Sequence, residues 1–279
     1  MSAASEITRQ AKSNLAFALN ILPKERRDDM VVFYAFCRTM DDLADDPSVA
    51  TADRKAALDF WKKGLSEGFE NPDEFQREVT DMRDRHHVPT DLLVAIIEGC
   101  EMDLKPQRFG NWEELSEYTW KVACAVGLVS VRLFGCRDPQ SDRYAVALGH
   151  ALQLTNILRD VAEDLSNGLR IYLPLADLSR FQYTERDLVG RVYDGRFLAL
   201  MQYEAERAEA FFREADELLP KMDKAALVPA RIMGEIYHAL LRKMRGDRFK
   251  VFSKRYSISK ARKLAILSKH LIARNRRIE

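Results

Sequence analysis

An all-α bundle of helices around a central cavity is the architecture this sequence predicts, and three observations carry it. The chain of 279 residues is punctuated by only 12 Gly and 9 Pro. Between those breaks apolar residues recur at three- and four-residue steps, as in Leu154, Ile157, Leu158, Val161 and Leu165, the spacing of one helix face. Alternating strand patterns are almost absent. With 47% apolar and 9% aromatic residues, the chain can fill a sizeable core.

The breaks define the elements in order. Leu22-Pro23 and Pro47 bound the first helix, Asn71-Pro72 ends the second and Val88-Pro89 the third. Lys105 to Gly110, Gly135 to Pro139, Asn167 to Pro174, Pro220 and Gly246 close the segments that follow, giving about eight to ten helices. No linker rich in Gly, Ser or Pro separates two halves. A single domain over 1–279 is therefore expected, with a basic segment from about residue 253. From Arg248 onward the only acid is Glu279.

Composition excludes several classes of function. The 44 basic and 43 acidic residues nearly cancel, so no global charge points to nucleic acid. Cys37, Cys100, Cys124 and Cys136 lie far apart without a CxxC spacing, and MSAASEITRQ lacks a signal-peptide core, so a reducing cytoplasm is expected. No apolar run approaches the roughly 20 residues that span a bilayer.

Two helix ends stand out. YAFCRTMDDLADDP, from Tyr34, sets Asp41 and Asp45 at i,i+4 just before Pro47, and QLTNILRDVAEDLSNG, from Gln153, repeats the spacing with Asp160 and Asp164 before Asn167-Gly168. Acids at a helix C-terminus oppose the helix dipole and repel one another, so two such ends suggest a cation between them. At 1.5 Å per residue, Asp41 and Asp45 sit about 6 Å apart on one face, and Asn156, Asp160 and Asp164 form a longer row with Gln153 on the same side. Oxygen ligands without His or Cys suit a hard cation, Mg²⁺ above all, shared with phosphate oxygens. The pattern predicts a Mg²⁺-bridged diphosphate. Arg38 is a candidate for a phosphate oxygen or for pairing with Asp42 or Asp45. Arg159 is equally a plain partner of Glu163.

The segments LPKERRDDMVVFYAFCRTMDDLADD, LSEYTWKVACAVGLVSVRLFG, ALQLTNILRDVAEDLSNGLRIYLP and, more loosely, IYHALLRKMRGDRFKVFSKR resemble the squalene/phytoene synthase family of head-to-head prenyl transferases. The NxxxDxxxD row followed by RIYLP is the most specific part. The resemblance implies the isoprenoid-synthase type of helical fold and a cavity for two prenyl diphosphates. It implies Mg²⁺, or Mn²⁺ in its place, on Asp41, Asp45, Asn156, Asp160 and Asp164, of which the four aspartates also act in catalysis. One diphosphate would ionise to an allylic cation that the second substrate captures, giving a cyclopropylcarbinyl diphosphate. Tyr118 matches the family's catalytic tyrosine. Tyr34, Arg38, Asp103, Gln153, Asn156, Tyr172 and Arg245 match substrate-binding positions. Cys124 stands where the family usually has the first Gly of VAGxVG, and Lys12, Ser13 and Asn14 only partly match its phosphate-binding serines.

Within the family, EGCEMDL and VGLVSVRLFG are most like bacterial enzymes making presqualene diphosphate from farnesyl diphosphate, toward squalene and hopanoids. Phytoene synthesis from geranylgeranyl diphosphate, as in carotenoid formation, and dehydrosqualene or squalene synthesis are the alternatives. No dinucleotide fingerprint is present, so an NADPH-dependent step is not expected. Asp41, Asp42 and Asp45 also spell the DDxxD of head-to-tail synthases, but the second motif differs. Glu235 and His238 form an ExxH pair of the di-iron type, without a convincing second pair. A non-catalytic assembly protein of the same fold should have lost metal-binding acids, and all are present. Leu264, Ile266, Leu267, Leu271 and Ile272, ringed by Lys260, Arg262, Lys263, Lys269, Arg274, Arg276 and Arg277, form a stripe that either packs on the core or meets the inner face of an anionic membrane.

Overall fold

The computed structural model describes Ala4 and residues 22–275; Lys12, Ser13, Asn14, Arg276 and Arg277 lie outside the described residues. The described chain is helical, and its extended backbone pairing is a single parallel bridge between Arg108 and Ile171.

Helix α1 (Lys24–Asp45) starts after Pro23 and stops before Pro47, burying Met30, Phe33, Phe36, Met40 and Ala44 at three- and four-residue steps. It packs on α2 (Thr51–Glu67), α3 (Glu74–Arg85) and α4 (Thr90–Met102). Asp73 and Gln76 form a reciprocal capping box at the start of α3, satisfying donors that the first helical turn leaves free. Helix α5 (Trp112–Thr119) runs through a widened π turn, Trp120–Cys124, into α6 (Ala125–Phe134). Gly135, at φ 81°, then ends α6 in the left-handed region that glycine tolerates.

The long helix α7 (Gln140–Ser166) runs through the centre of the bundle, packing against α5, the π turn, α6, α10 (Gly195–Leu218) and α11 (Val228–Gly246). Its N-terminus is held by buried Asp223, whose Oδ2 accepts from the backbone N–H groups of Arg137 and Asp138 at 2.8 and 2.7 Å and from Ser141 Oγ at 2.7 Å. Leu154, Ile157, Leu158, Val161 and Leu165 are all buried, as their spacing predicts. Helix α12 (Lys260–Asn275) lies on α11.

The segment from Pro174 to Pro220 departs from the sequence expectation, because it contains two further breaks. Helices α8 (Leu175–Arg180) and α9 (Glu185–Val189) precede α10, separated by positive-φ residues Gln182 and Arg191. Neither Gln nor Arg advertises a left-handed turn.

The family's first Gly of VAGxVG, replaced by Cys124, does not prevent close packing. Gly149 on α7 supplies the room instead: a Cβ there would stand 2.8 Å from Cys124 Cα. Cys124 Sγ donates to Val146 O at 3.2 Å.

Candidate active site

Five helices, among them α5 with Tyr118 and α11 with Arg245, and one loop deliver the predicted site residues. Helix α1 carries Tyr34, Arg38, Asp41 and Asp45, and α7 carries Gln153, Asn156, Asp160 and Asp164. Asp103 caps the C-terminus of α4. The loop after α7 folds back, with Arg170 N donating to Asp164 O at 3.0 Å. It is sutured to the loop before α5 through the Arg108–Ile171 bridge and bonds from Leu175 N to Phe109 O and Ala176 N to Gly110 O, each 2.9 Å. That suture puts Tyr172 beside Asp103.

Asp103 is the hub. Tyr118 and Tyr172 donate to its two carboxylate oxygens, both at 2.8 Å, and their rings stack 5.2 Å apart with Phe109 against them. Burial raises the Asp103 carboxyl above the usual carboxylate range, while the two phenol donors oppose that rise. The Tyr118 hydroxyl is raised far above its ordinary value by burial and by the Asp103 charge, so it stands as a proton donor.

The carboxylates of the two rows are mostly held by arginines. Arg38 reaches Asp41 at 3.1 Å and Asp42 at 2.6 Å, the pairing that its spacing allowed. Arg170 spans from Asp45 Oδ1, 2.6 Å, to Asp103 O, 3.3 Å. Arg159 bonds Asp160 at 2.8 Å rather than Glu163, which Arg255 takes at 3.1 Å while also reaching Asp160 at 3.4 Å. Among the described residues Asp164 forms no ion pair. Its carboxyl is pushed up to about 7 by burial and by the charge of Asp160, and Asp41 to about 6 by burial and by Asp45. Asp103 adds to both rises, which ties the two rows to one electrostatic site.

Sequence reasoning missed Arg170 and Arg255. Arg170 opens the quoted RIYLP run, so a signal was present; Arg255 lies in a loop with no spacing relation to α7. Arg245, expected near the diphosphates, lies 3.8 Å from Glu209 of α10. The ExxH pair is divided between structural partners, Glu235 with Lys269 and His270 and His238 with Glu209.

Among the described residues no three His, Cys, Asp or Glu side chains converge as a ready-made metal cluster. The donor chemistry nonetheless fits a hard cation: Asn156 Oδ1 is buried without a hydrogen-bond partner, and carboxyls forced upward by their neighbours would be relieved by positive charge. Beside this polar site lies an apolar cavity of about 320 Å³. Tyr34, Gln153 and Asn156 line its polar end; Phe33, Phe134, Leu148 and Met233 line the rest. Tyr118 and Tyr172 do not line it.

The sequence pattern of the squalene/phytoene synthase family matches residues 8–262. A 15-cis-phytoene synthase of Synechocystis sp. is 34% identical over 94% of this chain and 81% of its own length. A phytoene synthase of Mycobacterium tuberculosis is 33% identical over 93% and 86%. Among solved structures, a dehydrosqualene synthase superposes with a TM-score of 0.85 at 28% identity, covering 97% of this chain and 94% of its own. A squalene synthase from Alicyclobacillus acidocaldarius gives 0.78, also at 28% identity, over 88% and 93%.

Proposed function

Because the chain belongs to the squalene/phytoene synthase family, whose members condense prenyl diphosphates head to head, we propose that it is a prenyltransferase joining two allylic diphosphates in the apolar cavity. The observation that carries this reading is the juxtaposition of two acidic rows, one with an unpaired buried amide oxygen, and an apolar pocket. Asp41, Asp45, Asn156, Asp160 and Asp164 would hold Mg²⁺, or Mn²⁺ in its place, which supplies positive charge to the leaving diphosphate. Arg38, Arg170 and Arg255, now on carboxylates, are placed to turn to diphosphate oxygens as these arrive. The apolar wall keeps water from the allylic cation. Asp103 fixes the Tyr118 and Tyr172 hydroxyls, so each ring keeps one orientation beside the polar end of the site.

Farnesyl diphosphate and presqualene diphosphate are the proposed substrate and product, supported by EGCEMDL and VGLVSVRLFG and by the likeness to dehydrosqualene and squalene synthases. Geranylgeranyl diphosphate and phytoene form a second reading, favoured by the phytoene synthases among the relatives. Incubation with each diphosphate and Mg²⁺, with and without NADPH, followed by lipid extraction, separates them. A C30 cyclopropyl diphosphate without NADPH supports the first and a C40 hydrocarbon the second; no condensation product from either would overturn both.

A peripheral membrane contact through α12 is also proposed. The helix docks through Ile266, Leu267 and His270, leaving Leu264 and Leu271 exposed among basic residues. The stripe is therefore divided, one side on the core and the other outward.

A further inference from the structure

A second cavity, polar where the first is apolar, lies between α7, α10, α11 and α12 and has a volume of about 320 Å³. Tyr144 and Leu148 of α7 line both cavities, so they form the wall between them. On α11 the lining residues Arg231, Glu235, His238 and Arg242 follow steps of four, three and four, one continuous helix face. Gly234 lies on the same wall, where a Cβ would come within 3.1 Å of Leu148 Cδ1. Lys269 and His270 of α12 and Asp216 of α10 complete the polar lining.

Accounting for the charges leaves a surplus of donors. Both oxygens of Glu235 are engaged, by Lys269 at 3.0 and 2.9 Å and by His270 Nε2 at 3.0 Å. His238, stacked on Phe212, donates from Nε2 to Glu209 at 2.7 Å, which leaves its Nδ1 to accept from Arg242 at 3.3 Å. Among the described residues neither Arg231 nor Arg242 has a carboxylate within ion-pair distance. Arg231 is half-buried and Arg242 exposed, so both guanidinium groups can be reached by an anion entering the cavity. Asp216 is exposed and opposes an anion only weakly through solvent.

We propose that this cavity is a second binding site, for a small phosphate-class anion, in which Arg231 and Arg242 provide forked donors from one face of α11. Planar guanidinium pairs match phosphate oxygens. The ligand chemistry has two sources, free phosphate and the diphosphate that prenyl transfer releases, and both fit the volume. The site does not depend on the proposed substrate. Occupancy would be felt in the apolar cavity through Tyr144 and Leu148.

The test uses the full chain in magnesium-free buffer with EDTA, following the imidazole NMR signals of the 5 histidines during titration with sodium phosphate or sodium diphosphate at constant ionic strength. Saturable shifts are expected for His238 and His270 and not for His86, His87 or His150. Arg231→Gln with Arg242→Gln should weaken binding about tenfold or more, as two charge-assisted contacts are lost. Arg170→Gln should leave it unchanged. A tighter midpoint with diphosphate than with phosphate assigns the released product as ligand, and the reverse assigns free phosphate. Non-saturating shifts, equal shifts with chloride, or full affinity in the folded double variant would each overturn the site, as would loss of the shifts in Arg170→Gln.

Discussion

At the scale of single residues, the acids proposed to hold Mg²⁺ are not equivalent. Asp160 is enclosed, 16% exposed, and held by Arg159 and Arg255, so its ion pairs offset the repulsion that the sequence assigns to this helix end. Asp164 stores it. The expected outcome is that Asp164→Asn raises the melting temperature of the metal-free protein while Asp160→Asn lowers it, measured by calorimetry in EDTA. The pH dependence follows in sign. An acid whose folded value lies near 7 binds its proton more tightly folded than unfolded. Its contribution to stability is full below the unfolded value near 3.8 and is lost as pH rises through about 7. Melting temperature in EDTA should therefore fall over that window and flatten in Asp164→Asn. Asp41, 53% exposed, adds less because solvent screens it. For activity, Asp41→Asn and Asp160→Asn should each lower turnover by about 100-fold or more through loss of a charged ligand, read in a steady-state assay with saturating Mg²⁺. Full turnover in both variants would remove the acidic rows from the mechanism.

At the scale of elements, the close passage of α7 past the π turn depends on Gly149. Gly149→Ala would drive a methyl group into the Cys124 backbone, 2.8 Å away, and should cost about 1–3 kcal/mol, seen as a shifted denaturation midpoint with an unchanged slope. How much was legible in the sequence differs by element. The acidic rows on α1 and α7 were legible because i,i+4 spacing within one helix fixes a shared face whatever the tertiary structure. Asp103 was named only through the resemblance, as a substrate-binding position, and its bonds to both tyrosines were not legible, since Tyr118 and Tyr172 arrive from two other segments. Arg255 was beyond reach: its loop carries no periodicity, and its contact with Asp160 exists only after α11 has folded onto α7. The breaks around α8 and α9 were hidden for a different reason, positive φ at Gln182 and Arg191 rather than at Gly or Asn.

At the scale of the whole molecule, charge and apolar surface are distributed unevenly, and α12 carries the contrast. If its outer face meets lipid, the protein should co-sediment with anionic vesicles at low salt and less at high salt as the surface potential is screened. Leu264→Glu with Leu271→Glu should abolish that binding without unfolding, since both side chains are exposed; equal recovery on neutral vesicles would favour a purely packed helix. The π turn between α5 and α6 bears on the molecule as a whole in another way. Before it, Tyr118 is committed to Asp103; after it, Val126, Ser130 and Phe134 line the apolar cavity. An extra residue in the turn changes the rotational phase between the two stretches, so on the proposed reading the side chains beside the reacting end and those along the hydrocarbon tail are set by separately oriented stretches of helix. A lineage could lengthen or shorten its product by replacing residues beyond Cys124 while the chemistry upstream stays fixed.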